Sequence, residues 1–113
     1  MKNYSFYLLL LLAASSCAVS KTFDPATKYS PEILQNDYGV FKNMLEQEHP
    51  GLYWYTPKDS MDAAFEQGRN FLKDSLTEAR FRKVLSAVVA RIRCGHTSVY
   101  PSEQWNRAAD SLR

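Results

Sequence analysis

The chain has 113 residues, room for one domain of ordinary size and not for two. Hydrophobic residues make up 45% and charged residues 23%, and four Gly with five Pro are too few for a low-complexity tract, which excludes disordered and fibrous classes. Fourteen basic residues against twelve acidic ones give a net charge of +2, too small to point to nucleic acid.

The first predicted element is an export signal over residues 1–20. Met1 and Lys2 precede Phe6, Tyr7 and the run Leu8 to Leu12, and Ala13, Ala14, Ser15 and Ser16 follow. A positive start, a short apolar run and small residues are the pattern of a secretory signal, and the run is well short of the ~20 residues a membrane span needs. Two cleavage sites compete. Ala14-Ser15-Ser16-Cys17 resembles a bacterial lipobox, with Ala14 where Leu is favoured, and makes Cys17 the candidate lipidation residue. Ala18-Val19-Ser20 is the alternative small-x-small site and releases a chain starting at Lys21. The lipobox is preferred, because a cysteine directly after small residues has no better explanation there. The expected location is the periplasm or cell envelope, with the membrane reached only through that lipid. Removing residues 1–20 lowers the net charge by one, so electrostatics names no partner. Cys94 is the other cysteine of the chain, so lipidation or loss of Cys17 leaves no disulfide within the mature protein.

Residues 21–113 read as mainly α, a small bundle of three to four helices with an aromatic-rich loop and a short extended segment near the C-terminus. Ser30-Pro31-Glu32 is a helix start, with Ser30 as N-cap and Pro31 at the first helical position. Leu34, Tyr38, Phe41 and Leu45 then recur on one face, and the helix is expected to end near His49, ahead of Pro50. Pro50 to Pro57 brackets Tyr53, Trp54 and Tyr55 in a loop whose rings are expected to complete the core. A second helix is expected from Asp59 or Ser60, with Met61, Phe65 and Leu72 on its apolar face and Gly68 marking close packing. Thr77 caps a third helix carrying Phe81, Val84, Leu85, Val88, Val89 and Ile92, the most apolar face in the chain and the expected core helix. Gly95 is the predicted left-handed cap after it. Thr97 to Tyr100 favours extended backbone, and Ser102 caps a last helical pattern with Trp105, Ala108, Ala109 and Leu112. The pattern is still helical at Arg113, so the length reads as the front of a longer protein.

His96 is the foremost candidate for chemistry. Imidazole is the natural base near neutral pH, and Thr97 and Ser98 stand beside it; spacing alone favours the simpler reading, a histidine that caps the last helical carbonyls. Cys94 and His96 make a poor nucleophile–base pair, because side chains two apart on extended backbone face opposite ways. Cys94 is more simply a small buried hydrophobe. With His49 these side chains number at most three and lack ligand spacing, so neither a metal nor another cofactor is expected. Arg80, Arg82, Lys83, Arg91 and Arg93 alternate with core positions and read as a solvated face. The chain holds no nucleophile elbow, P-loop, dinucleotide fingerprint or zinc-peptidase motif.

One resemblance gathers these features. Phe41 and Leu45, then His49-Pro50-Gly51-Leu52-Tyr53, a helix around Phe65, Thr77, Phe81 and Leu85, and finally Cys94-Gly95-His96-Thr97 are ordered as in one family. Over roughly residues 30–100 the chain resembles the N-terminal helical region of exported serine peptidases of the C-terminal processing (tail-specific) and tricorn-like family, in particular its Bacteroidetes-type members. The resemblance implies a PDZ-like segment and an α/β catalytic domain further along, with a serine nucleophile, and a peptide or protein as substrate. It also implies a general base that is a lysine in the processing branch and a histidine in the tricorn-like branch. That histidine lies in a Ser-His or Gly-His-Thr segment, which His96 matches; Gly95 replaces the serine whose hydroxyl would orient the ring. Ser98, Ser102 and Ser111 fall outside the region where the family carries its nucleophile, so the chain is expected to be inactive alone. The alternative is a non-enzymatic envelope lipoprotein whose small helical domain binds a protein or peptide through Tyr53, Trp54 and Tyr55.

Overall fold

The computed structural model describes residues 22–111; the expected export signal over residues 1–20 and the candidate lipidation residue Cys17 lie outside them. Four helices and two very short strands follow in the order β1 (Lys28–Tyr29), α1 (Pro31–Glu48), α2 (Lys58–Asn70), β2 (Leu76–Thr77), α3 (Glu78–Ile92) and α4 (Glu103–Asp110). The chain is thus a small, mainly helical bundle. None of the described helices is long and apolar enough to cross a membrane.

Local chemistry sets most boundaries. Ser30 accepts from the Ile33 N–H at 3.5 Å with Pro31 behind it, which starts α1. At its other end His49 has left helical geometry (φ −91°, ψ 104°), as the residue before a proline should, while its N–H still reaches Leu45 O at 3.1 Å. Thr77 caps α3 by accepting from Arg80 N at 3.4 Å, and Ser102 caps α4 by accepting from Trp105 N at 3.1 Å.

Leu34, Tyr38 and Leu45 of α1 meet Met61 and Phe65 of α2, Val88 and Ile92 of α3, and Leu52 and Leu72 from the connections. Burying these side chains is the main stabilising term, since no charged side chain is buried among the described residues. Tyr38 is the polar exception within it. Its hydroxyl donates to Phe65 O at 2.8 Å, which satisfies the phenol without a break in packing.

Several expectations need correction. Helix α2 starts at Lys58, just after Pro57, and ends at Asn70, so Leu72 is not on its face. Phe71 and Leu72 instead close a tight turn back to Gly68 O and Arg69 O, which turns Leu72 fully into the core and leaves Phe71 61% exposed. The Gln35 side chain donates to Leu72 O at 3.1 Å and pins that turn to α1. The left-handed residue after α3 is Arg93 (φ 59°), and Gly95 has no positive φ. Thr56, from the aromatic loop, donates to Arg91 O, so a side chain from elsewhere takes up one of the helix's last carbonyls. The aromatic rings do not complete the core. Leu52 enters it, while Tyr53 is 38%, Trp54 74% and Tyr55 63% exposed. The indole folds back on its own loop, so near Gly51 that a β-carbon there would stand 3.1 Å from the ring.

The antiparallel pairing of Lys28 with Thr77 and Tyr29 with Leu76 was not foreseen; it joins the segment before α1 to the start of α3. Helix α4 buries none of its residues fully. It is held through Glu78, whose carboxylate accepts from Ser102 N at 2.9 Å and Ser102 Oγ at 2.8 Å, and through Trp105, which receives Arg82 over its ring at 5.1 Å and Phe23 edge-on at 6.4 Å.

Candidate functional site

The C-terminal ends of α1 and α3 come together at one end of the bundle. Each helix is followed by a non-helical stretch, 49–55 after α1 and 93–97 after α3, and the two stretches face each other across a cleft of about 530 Å³. Trp54 and Tyr55 stand on one side, with Arg93 and His96 on the other. A single hydrogen bond joins the two walls, between His49 Nε2 and Thr97 Oγ1 at 2.8 Å. The other ring nitrogen, Nδ1, is buried with no partner.

The 94–97 stretch is a turn closed by Thr97 N–H donating to Cys94 O at 3.2 Å, and it places His96 at an exposed position. The imidazole of His96 has no hydrogen-bond partner among the described residues, so both ring nitrogens are available at the mouth of the cleft. Cys94 is a free, half-buried thiol packed against the core cluster. The Thr97 hydroxyl, and after it the backbone N–H of His96, hold that thiol below its ordinary range; burial opposes them, and the Thr97 N–H adds a smaller pull in the same direction. The imidazole of His96 is not among the groups that pull on the thiol.

Sequence reasoning named His49 and Thr97 but did not join them. Each sits just beyond a helix end, which was legible, but nothing in the spacing says that those ends are neighbours. The serines are accounted for differently. Ser102 is committed to Glu78 and to its cap, and Ser111 Oγ donates to Ala108 O at 2.7 Å. Ser98 lies exposed just beyond the turn.

Other concave surfaces carry less chemistry. A groove of about 420 Å³ between α2 and α3 has Ala64, Phe71, Val84 and Ala87 along it and the cations Lys83 and Arg91 at its rim, with no nucleophile or acid–base pair. Among the described residues, no group of three or more His, Cys, Asp or Glu side chains is placed to hold a metal ion. Comparison with protein-family models, curated proteins and solved structures gives no match to this chain.

Proposed function

We propose that this chain is the helical module of an exported serine-type peptidase, and that His96 is the group it brings to peptide-bond hydrolysis, as base or orienting group. One observation supports the reading. The two stretches through which the sequence resembles that family, His49-Pro50-Gly51 and Cys94-Gly95-His96-Thr97, line the same cleft and are tied together by the His49–Thr97 hydrogen bond. His96 stands exposed at its mouth, where a nucleophile from another segment can reach it.

In such a reaction a serine oxygen adds to the peptide carbonyl while its proton passes to the base. The amine then leaves with a proton, and water hydrolyses the acyl-enzyme. A neutral imidazole with a free ring nitrogen suits the proton transfers. The reading places the nucleophile outside residues 22–111, in the catalytic domain that the resemblance implies; Ser102 and Ser111 spend their protons on structural bonds. The test is to purify the native protein from the envelope with an antibody raised against residues 22–111 and treat it with a fluorophosphonate. Covalent labelling, lost in the His96→Gln variant, is expected. A purified protein that neither labels nor cleaves an unfolded polypeptide refutes the reading.

The exposure of Trp54 and Tyr55 favours a second reading, an envelope lipoprotein that binds a protein or peptide through these rings. It expects Trp54→Ala and Tyr55→Ala to abolish binding while leaving the unfolding midpoint of the domain unchanged.

A further inference from the structure

The turn that carries His96 is lightly held. It follows Arg93, a non-glycine residue in left-handed geometry, and a β-carbon added at Gly95 would meet nothing within 4 Å. Its internal bond is Thr97 N–H to Cys94 O. Among the described residues the one side-chain hydrogen bond between this turn and the rest of the molecule is Thr97 Oγ1 to His49 Nε2. His49, by contrast, is fixed on both sides of its own backbone: its N–H donates to Leu45 O at 3.1 Å, and its C=O accepts from Leu52 N at 3.3 Å, where Leu52 is a core residue.

The direction of the His49–Thr97 bond follows from the other ring nitrogen. Nδ1 is buried without a partner, and a proton there would be a buried donor with no acceptor. An orphaned N–H is disfavoured more strongly than an orphaned lone pair. The ring proton therefore sits on Nε2 and is donated to Thr97 Oγ1. That leaves the hydroxyl proton of Thr97 free to be donated, and the turn closed by Thr97 N–H to Cys94 O keeps the Cys94 thiol close at hand, in keeping with a thiol held below its ordinary range.

We propose that His49 is a positioning residue for the Cys94–Thr97 turn, its Nε2–H holding Thr97 so that His96 is presented at the cleft mouth and the Thr97 hydroxyl is aimed at Cys94. The part concerning His96 rests on the peptidase reading; the part concerning Cys94 does not. The sequence offers no trace of this link, because His49 and Thr97 lie on separate helix ends.

The test uses the full chain and reads Cys94 alone, by mass spectrometry of its peptide after timed iodoacetamide alkylation across a pH series. Thr97→Val, which keeps the shape and removes the hydroxyl, is expected to raise the midpoint of the alkylation profile, with roughly tenfold less thiolate at neutral pH for each pH unit it rises. Thr97→Ser is expected to restore the wild-type profile. His49→Phe is expected to shift the profile in the same direction as Thr97→Val, and the double variant no further. Nitrogen-15 spectra of the wild-type imidazole are expected to show the proton on Nε2, which tests the proposal even if His49→Phe does not fold. A proton on Nδ1, or a Thr97→Val profile that coincides with wild type, overturns the proposal. Alkylation profiles that move as expected in a protein that fluorophosphonate does not label support the His49 tie and overturn the peptidase reading alone.

Discussion

Gly68 is where α2 lies against both α1 and α3, and a single methyl group there tests how the bundle is packed. A β-carbon at this position would fall inside hard contact with Tyr38 Oη, 2.9 Å from Val88 Cγ2 and 3.0 Å from Tyr38 Cζ. Neither neighbour is free to give way. Tyr38 is fully buried and hydrogen-bonded to Phe65 O, and Val88 is packed in the same cluster. On an open helix surface Gly→Ala stabilises by about 1 kcal/mol. Here overpacking opposes that with about 1–3 kcal/mol, and displacing the tyrosine hydroxyl forfeits a buried hydrogen bond of about 1 kcal/mol. The net expectation for Gly68→Ala is a loss of roughly 1–3 kcal/mol, read as a lower urea midpoint by circular dichroism. Tyr38→Phe removes the closest clash, so the double variant is expected to be more stable than the sum of the single effects by about 1 kcal/mol. A Gly68→Ala protein as stable as wild type would refute this account of the packing.

The remaining predictions concern the phenol, the last helix and the left-handed joint. Burial pushes the Tyr38 phenol up to about 12 from 10.0, with Arg69 pulling it down and Glu66 adding a little. The unfolded chain therefore ionises first, and the contribution of Tyr38 is whole below pH 10 and falls by about 1.4 kcal/mol per pH unit as the pH rises toward 12. Base-unfolding curves are expected to show this slope in wild type and to lose it in Tyr38→Phe; identical curves would contradict it. Ser102→Ala removes both the α4 cap and a donor to Glu78, at about 1 kcal/mol, and is expected to leave Trp105 more open to iodide quenching in a Trp54→Phe background. Unchanged quenching would mean that α4 is held by something else. At Arg93 the left-handed backbone should accept Gly with a change of under about 1 kcal/mol, while Val should cost about 1–2 kcal/mol in denaturant titrations; the opposite order would place the helix stop elsewhere.

Much of the architecture could be read from short-range chemistry. Ser30, Thr77 and Ser102 each start a helix as their hydroxyls suggest, because a cap acts on N–H groups two or three residues away. The buried faces of α1 and α3 likewise follow from helical periodicity. Leu72 and the aromatic loop escaped that reasoning for one reason. Burial outside a regular element has no period to reveal it, so the inward turn of Leu72 and the outward display of Trp54 depend on what the neighbouring helices leave open.

The candidate site divides along the same line. Sequence by itself named His96 and Cys94, and put a tight turn between a core helix and an extended segment. Only the tertiary structure decided that His49 is the partner of Thr97, that Cys94 and Thr97 close one turn, and that Arg93 turns the chain. A hydrogen bond between residues on different helix ends requires those ends to be neighbours. Their meeting is fixed by Leu34, Tyr38, Phe65, Val88 and Ile92 packing together in the core, some distance along the chain from the cleft they align.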